Sequence, residues 1–287
     1  MNGAPDSQTL LSDQMVYPES PRWHEGKLWF SDVHAYAVKT VDLERRVSVV
    51  VEVPGRPAGL GFLPDGRLLV ASALDKRLWT WNGTELRLAA DLGQVAVGLL
   101  NDMVVDGWGR AYVGATGFNL MAGDEPRNGQ ILLFREAAAA ADRVRIVSTD
   151  VMFPNGAAIS PDGGRYWLSE TAAQRISVFD IAGDGSLTGR RTLIDLPDMC
   201  DGLCLDGEGA VWVALLRLGE FWRVRADGTV TTKISTAGRL AVACVLGGAD
   251  RRSLFLCSAD TTMDALAQGR SAGLIHTLPA APGAGWP

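Results

Sequence analysis

Short apolar runs recur along the whole chain, separated by turns rich in Pro, Asp and Gly. One unit reads Phe153-Pro154-Asn155-Gly156-Ala157-Ala158-Ile159-Ser160-Pro161-Asp162-Gly163: a polar leading residue, an apolar run, then a turn. Five further units share this form, led by Glu19, Ala58, Asn101, Asp201 and, more loosely, Cys244. The leading residues recur every ~40 to 55 positions, the period of a propeller blade. After each turn a second apolar run follows, at 27–31, 67–71, 110–114, 165–169, 210–214 and 253–257. Turn residues between two short β-branched or aromatic runs signal a hairpin. Third runs follow at 37–42, 76–81, 130–134, 175–180, 220–224 and 273–277. Fourth runs are present at 47–53, 86–90, 143–147, 191–196 and 230–234. The sixth unit lacks one, and the strand-like segment 9–16 can supply it from the other end of the chain. That closure removes an exposed sheet edge. The pattern predicts an all-β fold: a six-bladed β-propeller of four-stranded antiparallel blades, with the N-terminal strand joining the last blade. It forms a single domain over residues 1–287. Only 136–141 is helix-prone.

Composition narrows the partners. The 287 residues carry a net charge of -6 with no Lys/Arg run, which argues against a nucleic-acid surface. No apolar stretch approaches the ~20 residues of a membrane span. Residues 1–14 hold neither a basic segment nor an apolar one, so no secretory leader is expected. Cys200, Cys204, Cys244 and Cys257 form no CxxC pair and sit in apolar runs, which reads as buried thiols in a reducing cytoplasm. A monomer or weak homo-oligomer is expected.

In a propeller the first strand of each blade lines the central channel. Glu19, Asn101, Asn155 and Asp201 therefore converge near the axis, although they are far apart in sequence. Their oxygens suit a hard divalent cation, and two carboxylates neutralise its charge. The plain alternative is that these residues only cap strand starts, where Asn and Asp are common. Four polar groups at one depth would then crowd negative charge without compensation. Of the three histidines, His24, His34 and His276, the first is read as sitting in a turn and the second just beyond a strand, off the axis, so a Ser-His-Asp triad is not expected. Most of the tryptophans fall in second and third runs and are read as packing between blades.

Four segments carry a more specific signal. Glu19-Ser20-Pro21-Arg22-Trp23, Asn101-Asp102-Met103-Val104-Val105-Asp106, Phe153-Pro154-Asn155-Gly156 and Asp201-Gly202-Leu203-Cys204-Leu205-Asp206 resemble the signature segments of the senescence marker protein / gluconolactonase / luciferin-regenerating enzyme family. The resemblance runs from Pro18 to Pro282-Gly283-Ala284-Gly285, with the segments in order. It implies a six-bladed propeller with one divalent metal held by Glu19, Asn155 and Asp201, and Asn101 as a further metal or substrate contact. Ca²⁺ is favoured, with Zn²⁺, Mn²⁺, Mg²⁺ and Fe²⁺ as the other candidates. It also implies a hydrolase that opens a small-molecule lactone, the metal polarising the carbonyl and Asp201 acting as general base toward water. Two alternatives stay open: a related propeller hydrolase or isomerase on a less polar cyclic or ester substrate, and a non-catalytic metal-binding propeller.

One position departs from the family pattern. Members that act on sugar lactones often carry an Arg two residues before the Asn of Asn-Asp; here Leu99 stands there. An apolar residue implies a less hydroxylated substrate, or another group holding it. Arg217 and the Asp124-Glu125 pair are candidates, though each also reads as a solvated surface charge. Leu99, Asn101, Phe118 and Cys200 are expected to contact substrate, with Phe153 and Met199 beside them. The long connections 114–128 and 258–271 are expected to form a lid over the channel mouth.

Overall fold

Glycines in the left-handed conformation set the hairpin turns. Gly26, Gly66, Gly109, Gly163 and Gly209 close the first turn of five blades with φ between 69° and 85°, a conformation that a side chain disfavours. The runs between the turns form strands, and the strands assemble into six four-stranded antiparallel sheets. The computed structural model describes residues 8–280 and 282–283. Residues 1–7, part of the stretch read as lacking a leader, and Ala284-Gly285, the end of the resemblance, lie outside them.

The inner strands are Pro18–His24, Pro57–Phe62, Leu100–Val105, Pro154–Ile159, Cys200–Leu205 and Leu240–Gly247. Each touches the next, and the last touches the first, so the ring is closed. Thr9–Met15 pairs antiparallel with Ala272–Pro279 as the outer strand of the sixth blade. The two ends of the chain are thus hydrogen-bonded into one sheet, as the run pattern predicts.

The core lies between blades. Leu28 and Phe30 of blade one pack with Val245 and Phe255 of blade six, and Trp23 stacks on Phe255 at 5.3 Å between centroids. Trp167, Trp212 and Trp222 are buried in similar seams. All four cysteines are buried and free. No helix among the described residues is long and apolar enough to cross a membrane.

Two expectations need correction. The helix-prone stretch 136–141 makes a turn and a short 3-10 segment, Ala140–Asp142; among the described residues the α-helix is Met263–Ala267, within the last long loop. Thr262 caps that helix by accepting a hydrogen bond from the Ala265 N–H. The sixth leading position is Ala241 and not Cys244. Register decides this: Glu19 pairs with Ser31, one residue before the end of the second strand, and Ala241 holds the matching place opposite Ser258.

A β-bulge follows every leading position. The register slips between Glu19 and Arg22, Pro57 and Leu60, Leu100 and Met103, Pro154 and Ala157, Cys200 and Leu203, and Ala241 and Ala243. Each slip adds one residue to the inner strand, which bends the strand and re-aims the side chain beside it. Small residues make room for this. A Cβ on Gly156 would meet Leu203 N at 2.5 Å, and one on Gly202 would meet Ala243 Cβ at 2.4 Å. These glycines allow neighbouring inner strands to approach closely just after Asn155 and Asp201.

Candidate functional site

The leading ends of the inner strands open into a cavity of about 120 Å³. Three rings of residues build it. The first is the leading residues themselves: Glu19, Ala58, Asn101, Asn155 and Asp201 line the cavity together. The second ring lies two residues earlier, at Tyr17, Arg56, Leu99 and Phe153. The third is the first residue after each second strand: Val33, Ala73, Thr116, Thr171 and Leu216. Backbone hydrogen bonds tie the last two rings, since Val33, Ala73, Thr116 and Thr171 donate N–H to the carbonyls of Tyr17, Arg56, Leu99 and Phe153 at 2.8–3.1 Å. Leu216 donates likewise to Met199.

The long loops cover this mouth. Leu120 and Met121 of the 114–128 loop and Leu266 of the 258–271 loop all line the cavity, and the helix Met263–Ala267 touches the 3-10 turn Leu120–Ala122. Asn119 caps that turn by accepting from the Met121 and Ala122 N–H groups.

The first ring has an unusual charge balance. Asp201 is only 4% exposed, and the open part of Glu19 faces the cavity. Among the described residues neither carboxylate forms an ion pair. Burial, then the charge of Asp102, pushes Glu19 up to about 7, while Arg56 pulls the other way. Burial followed by the charge of Glu19 raises Asp201 well above the usual carboxylate range, partly offset by a hydrogen bond from the Asn155 side chain. Tyr17 is also raised, by burial first and then by Asp201 and Glu19. The phenol is therefore neutral. Asp102 sits outside the cavity lining, where Arg22 pairs with it at 3.0 Å and the Ser20 hydroxyl bonds to it.

The amides are oriented by their N–H groups. Asn155 Nδ2 donates to Thr171 Oγ1 at 3.1 Å, and that hydroxyl donates to the Cys200 carbonyl at 2.7 Å. Asn101 Nδ2 donates to the Pro154 carbonyl at 3.2 Å. Both amides are thus left with their oxygens as the available donors. Two uncompensated carboxylates with two amide oxygens fit a hard divalent cation. Among the described residues no three His, Cys, Asp or Glu side chains gather to hold a metal, so the amides are needed to complete such a site.

The structure brings Glu19, Leu99, Asn101, Asn155 and Asp201 to one cavity. It separates Phe118 and Cys200 from it. Phe118, 1% exposed, lies behind Phe153 in an edge-on contact of 5.2 Å. The Cys200 thiol faces away from the cavity toward the Arg175 carbonyl, and burial pushes it up to about 12. Its position next to Asp201 suggested contact, but successive side chains on a strand point to opposite faces. Arg217 pairs with Asp198 at 2.9 Å and is half exposed, and neither Asp124 nor Glu125 lines the cavity.

His34, read as off the axis, lines the cavity. The second strand returns to the leading end, so the Val33–Ala35 turn sits at the mouth. Burial and then Arg56 lower the His34 pKa, which leaves it neutral. Arg56 and Tyr17 carried a readable signal: each stands two residues before a leading position, the place where Leu99 drew notice. Applying that offset to every blade would have found them.

Comparisons with known proteins bear on the family and the fold. Residues 17–260 match the SMP-30/Gluconolactonase/LRE-like region. The chain belongs to that family. It is 27% identical over 256 residues to 6-deoxy-6-sulfogluconolactonase of Pseudomonas putida, covering 87% of this chain and 85% of that one. It is 25% identical over 274 residues to pentonolactonase XacC of Haloferax volcanii, covering 91% and 89%. The solved structure of a calcium-binding protein, regucalcin, from Agrobacterium tumefaciens superposes with a TM-score of 0.79 at 23% identity, covering 95% of this chain and 92% of that one.

Proposed function

We propose that this member of the SMP-30/Gluconolactonase/LRE-like family is a divalent-metal-dependent lactonase acting on a small, sparsely hydroxylated lactone. One observation carries the reading: two enclosed carboxylates without ion pairs, beside two amide oxygens, at the base of a largely apolar cavity. Two relatives named as lactonases, each aligned over more than four-fifths of the chain, support the reaction class. Glu19, Asn155 and Asp201 would hold the cation, with Asn101 as a further contact to cation or substrate. A relative described as calcium-binding makes Ca²⁺ the first ion to test. When bound, the ion supplies Lewis acidity toward a carbonyl oxygen.

The chain's own residues supply the rest. Water attacks the lactone carbonyl carbon, and an Asp201 carboxylate oxygen takes its proton. The ring C–O bond then breaks, and the proton passes to the departing oxygen, giving the hydroxy acid. Water is the nucleophile because, among the described residues, no Ser or Cys lines the cavity, the Thr116 and Thr171 hydroxyls donate to backbone carbonyls, and the Cys200 thiol is buried behind it. Leu99, Phe153, Leu216 and Leu266 form an apolar wall that limits bulk water. Burial strengthens each remaining polar contact with substrate. Four free, buried thiols support a cytoplasmic location.

A pH-indicator assay over a lactone panel, on protein stripped with chelator and then reloaded, tests this reading. Hydrolysis that disappears with the metal and returns with it is expected. A fully loaded protein that opens none of the lactones would overturn it.

A further inference from the structure

The second ring of the cavity holds an arginine with no partner. Arg56 is the one Lys or Arg side chain lining the cavity among the described residues. Among the described residues its Nε is buried with no hydrogen-bond acceptor, and it forms no ion pair. Glu19 and His34 both feel its charge, yet neither bonds to it. A buried polar atom left unsatisfied calls for an explanation.

The backbone at Arg56 is also constrained. Its φ is +74°, and Pro57 follows it. A non-glycine residue in the left-handed region costs about 1–2 kcal/mol, and such strain persists where the surroundings over-determine it. Here they do: the Arg56 N–H donates to the Val53 carbonyl at 3.2 Å, and its own carbonyl accepts from Ala73 at 2.8 Å. Phe153, at the same ring position and also before a proline, shares the conformation with φ of +55°. The ring geometry therefore turns both side chains toward the cavity. Arg239, the arginine at the same place in blade six, is outside the cavity lining and bonds to the Thr236 carbonyl instead.

We infer that Arg56 selects a lactone that carries an anionic substituent, a carboxylate or sulfonate, away from the reacting carbonyl. A planar guanidinium pairs best with an oxyanion that can take two parallel N–H bonds. Leu99, Phe153 and Leu120 line the same cavity with apolar side chains, and the two polar groups that feel the Arg56 charge, Glu19 and His34, do not bond to it. A neutral hydroxyl there would leave the half-buried guanidinium without an oxyanion partner. The guanidinium sits one blade round from Leu99, at the same ring position, so the charged group of the substrate lies toward blade two.

This inference rests on the lactonase reading only for its kinetic test. The substrates are two γ-butyrolactones that differ at one carbon, bearing a carboxylate or a hydroxymethyl group on the carbon next to the ring oxygen. The wild-type enzyme should favour the carboxylate in kcat/KM by about tenfold to a hundredfold, chiefly through KM, as expected for a charged hydrogen bond. Arg56→Met should erase that preference, read as the ratio of kcat/KM on the two lactones, and Arg56→Lys should restore part of it. Equal losses on both substrates in Arg56→Met, or a wild type indifferent to the charge, would overturn the assignment. If neither lactone is turned over, calorimetric binding of tetrahydrofuran-2-carboxylate against tetrahydrofurfuryl alcohol decides. Selective binding of the acid, lost in Arg56→Met, supports the role of Arg56 while the lactonase reading fails. Equal binding of acid and alcohol overturns it.

Discussion

Glu170 and the Glu19–Asp201 pair are buried carboxylates within the same end of the propeller, and they meet opposite electrostatic fates. Glu170 ends the second strand of blade four, opposite Pro154, and is fully buried. Arg175 and Arg190 pair with it, Ser177 donates to it, and so does the Met152 N–H. Burial alone would raise its pKa, yet the hydrogen bonds, led by Arg175, hold it below the usual value. Asp32, its counterpart in blade one, is likewise bonded to Lys39 at 2.7 Å and to the Val16 and Tyr17 N–H groups. Glu19 and Asp201, a single strand nearer the axis, have no such cations and are raised. Burial costs the same kind of energy in both places. The fold satisfies the carboxylates that hold its loops and leaves unsatisfied the pair facing the cavity.

The largest test of that contrast is Asp201→Asn. Turnover should fall by about a hundredfold to ten-thousandfold, the range for loss of a general base, and metal affinity measured by calorimetry should fall with it. The same variant should melt no lower than wild type in the metal-free state, because a repelling charge has gone. Full activity with full metal occupancy would remove Asp201 from the proposed role.

Glu170→Gln should behave in the opposite way. It leaves Arg175 and Arg190 short of an anion, and losing one partner of a buried pair costs about 3–5 kcal/mol. Chemical denaturation should show that loss, with kcat of the folded fraction little changed. A variant as stable as wild type would mean that the Glu170 network does not hold the loops.

The pH dependence separates the two regions further. Between about 4.5 and about 7, folded metal-free protein keeps a proton on Glu19 that the unfolded chain has released. Metal-free stability should therefore fall as pH rises through that window, and Asp201 acts in the same direction. Glu170 is lowered, so its contribution should be lost only as pH falls through its folded value. Thermal melts with chelator and with saturating Ca²⁺ should diverge as pH rises. A gap that is flat with pH would break this account of the pair.

The smallest expected effect is at Ser177, whose hydroxyl donates to Glu170. Ser177→Ala should cost about 1 kcal/mol, the worth of one hydrogen bond among several, and leave kcat/KM unchanged.

Much of this was legible in the chain. Turn glycines, run lengths and the missing sixth outer strand led to six closed blades, because hairpin chemistry is local and closure follows from counting. The same count placed Glu19, Asn101, Asn155 and Asp201 around one axis. Local pattern could not say which way a side chain faces beside a bulge, so Phe118 and Cys200 read as contacts and lie behind the wall. Nor could it carry His34 to the cavity, since that depends on where the returning strand ends. The sequence by itself determined the repeat, the ring and the residues that lead five of the six blades, through spacing alone. Only the tertiary structure decided which buried charges found partners. Pairings such as Arg190 with Glu170, and the solitude of Arg56, arise where strands from distant parts of the chain are packed together and water is excluded.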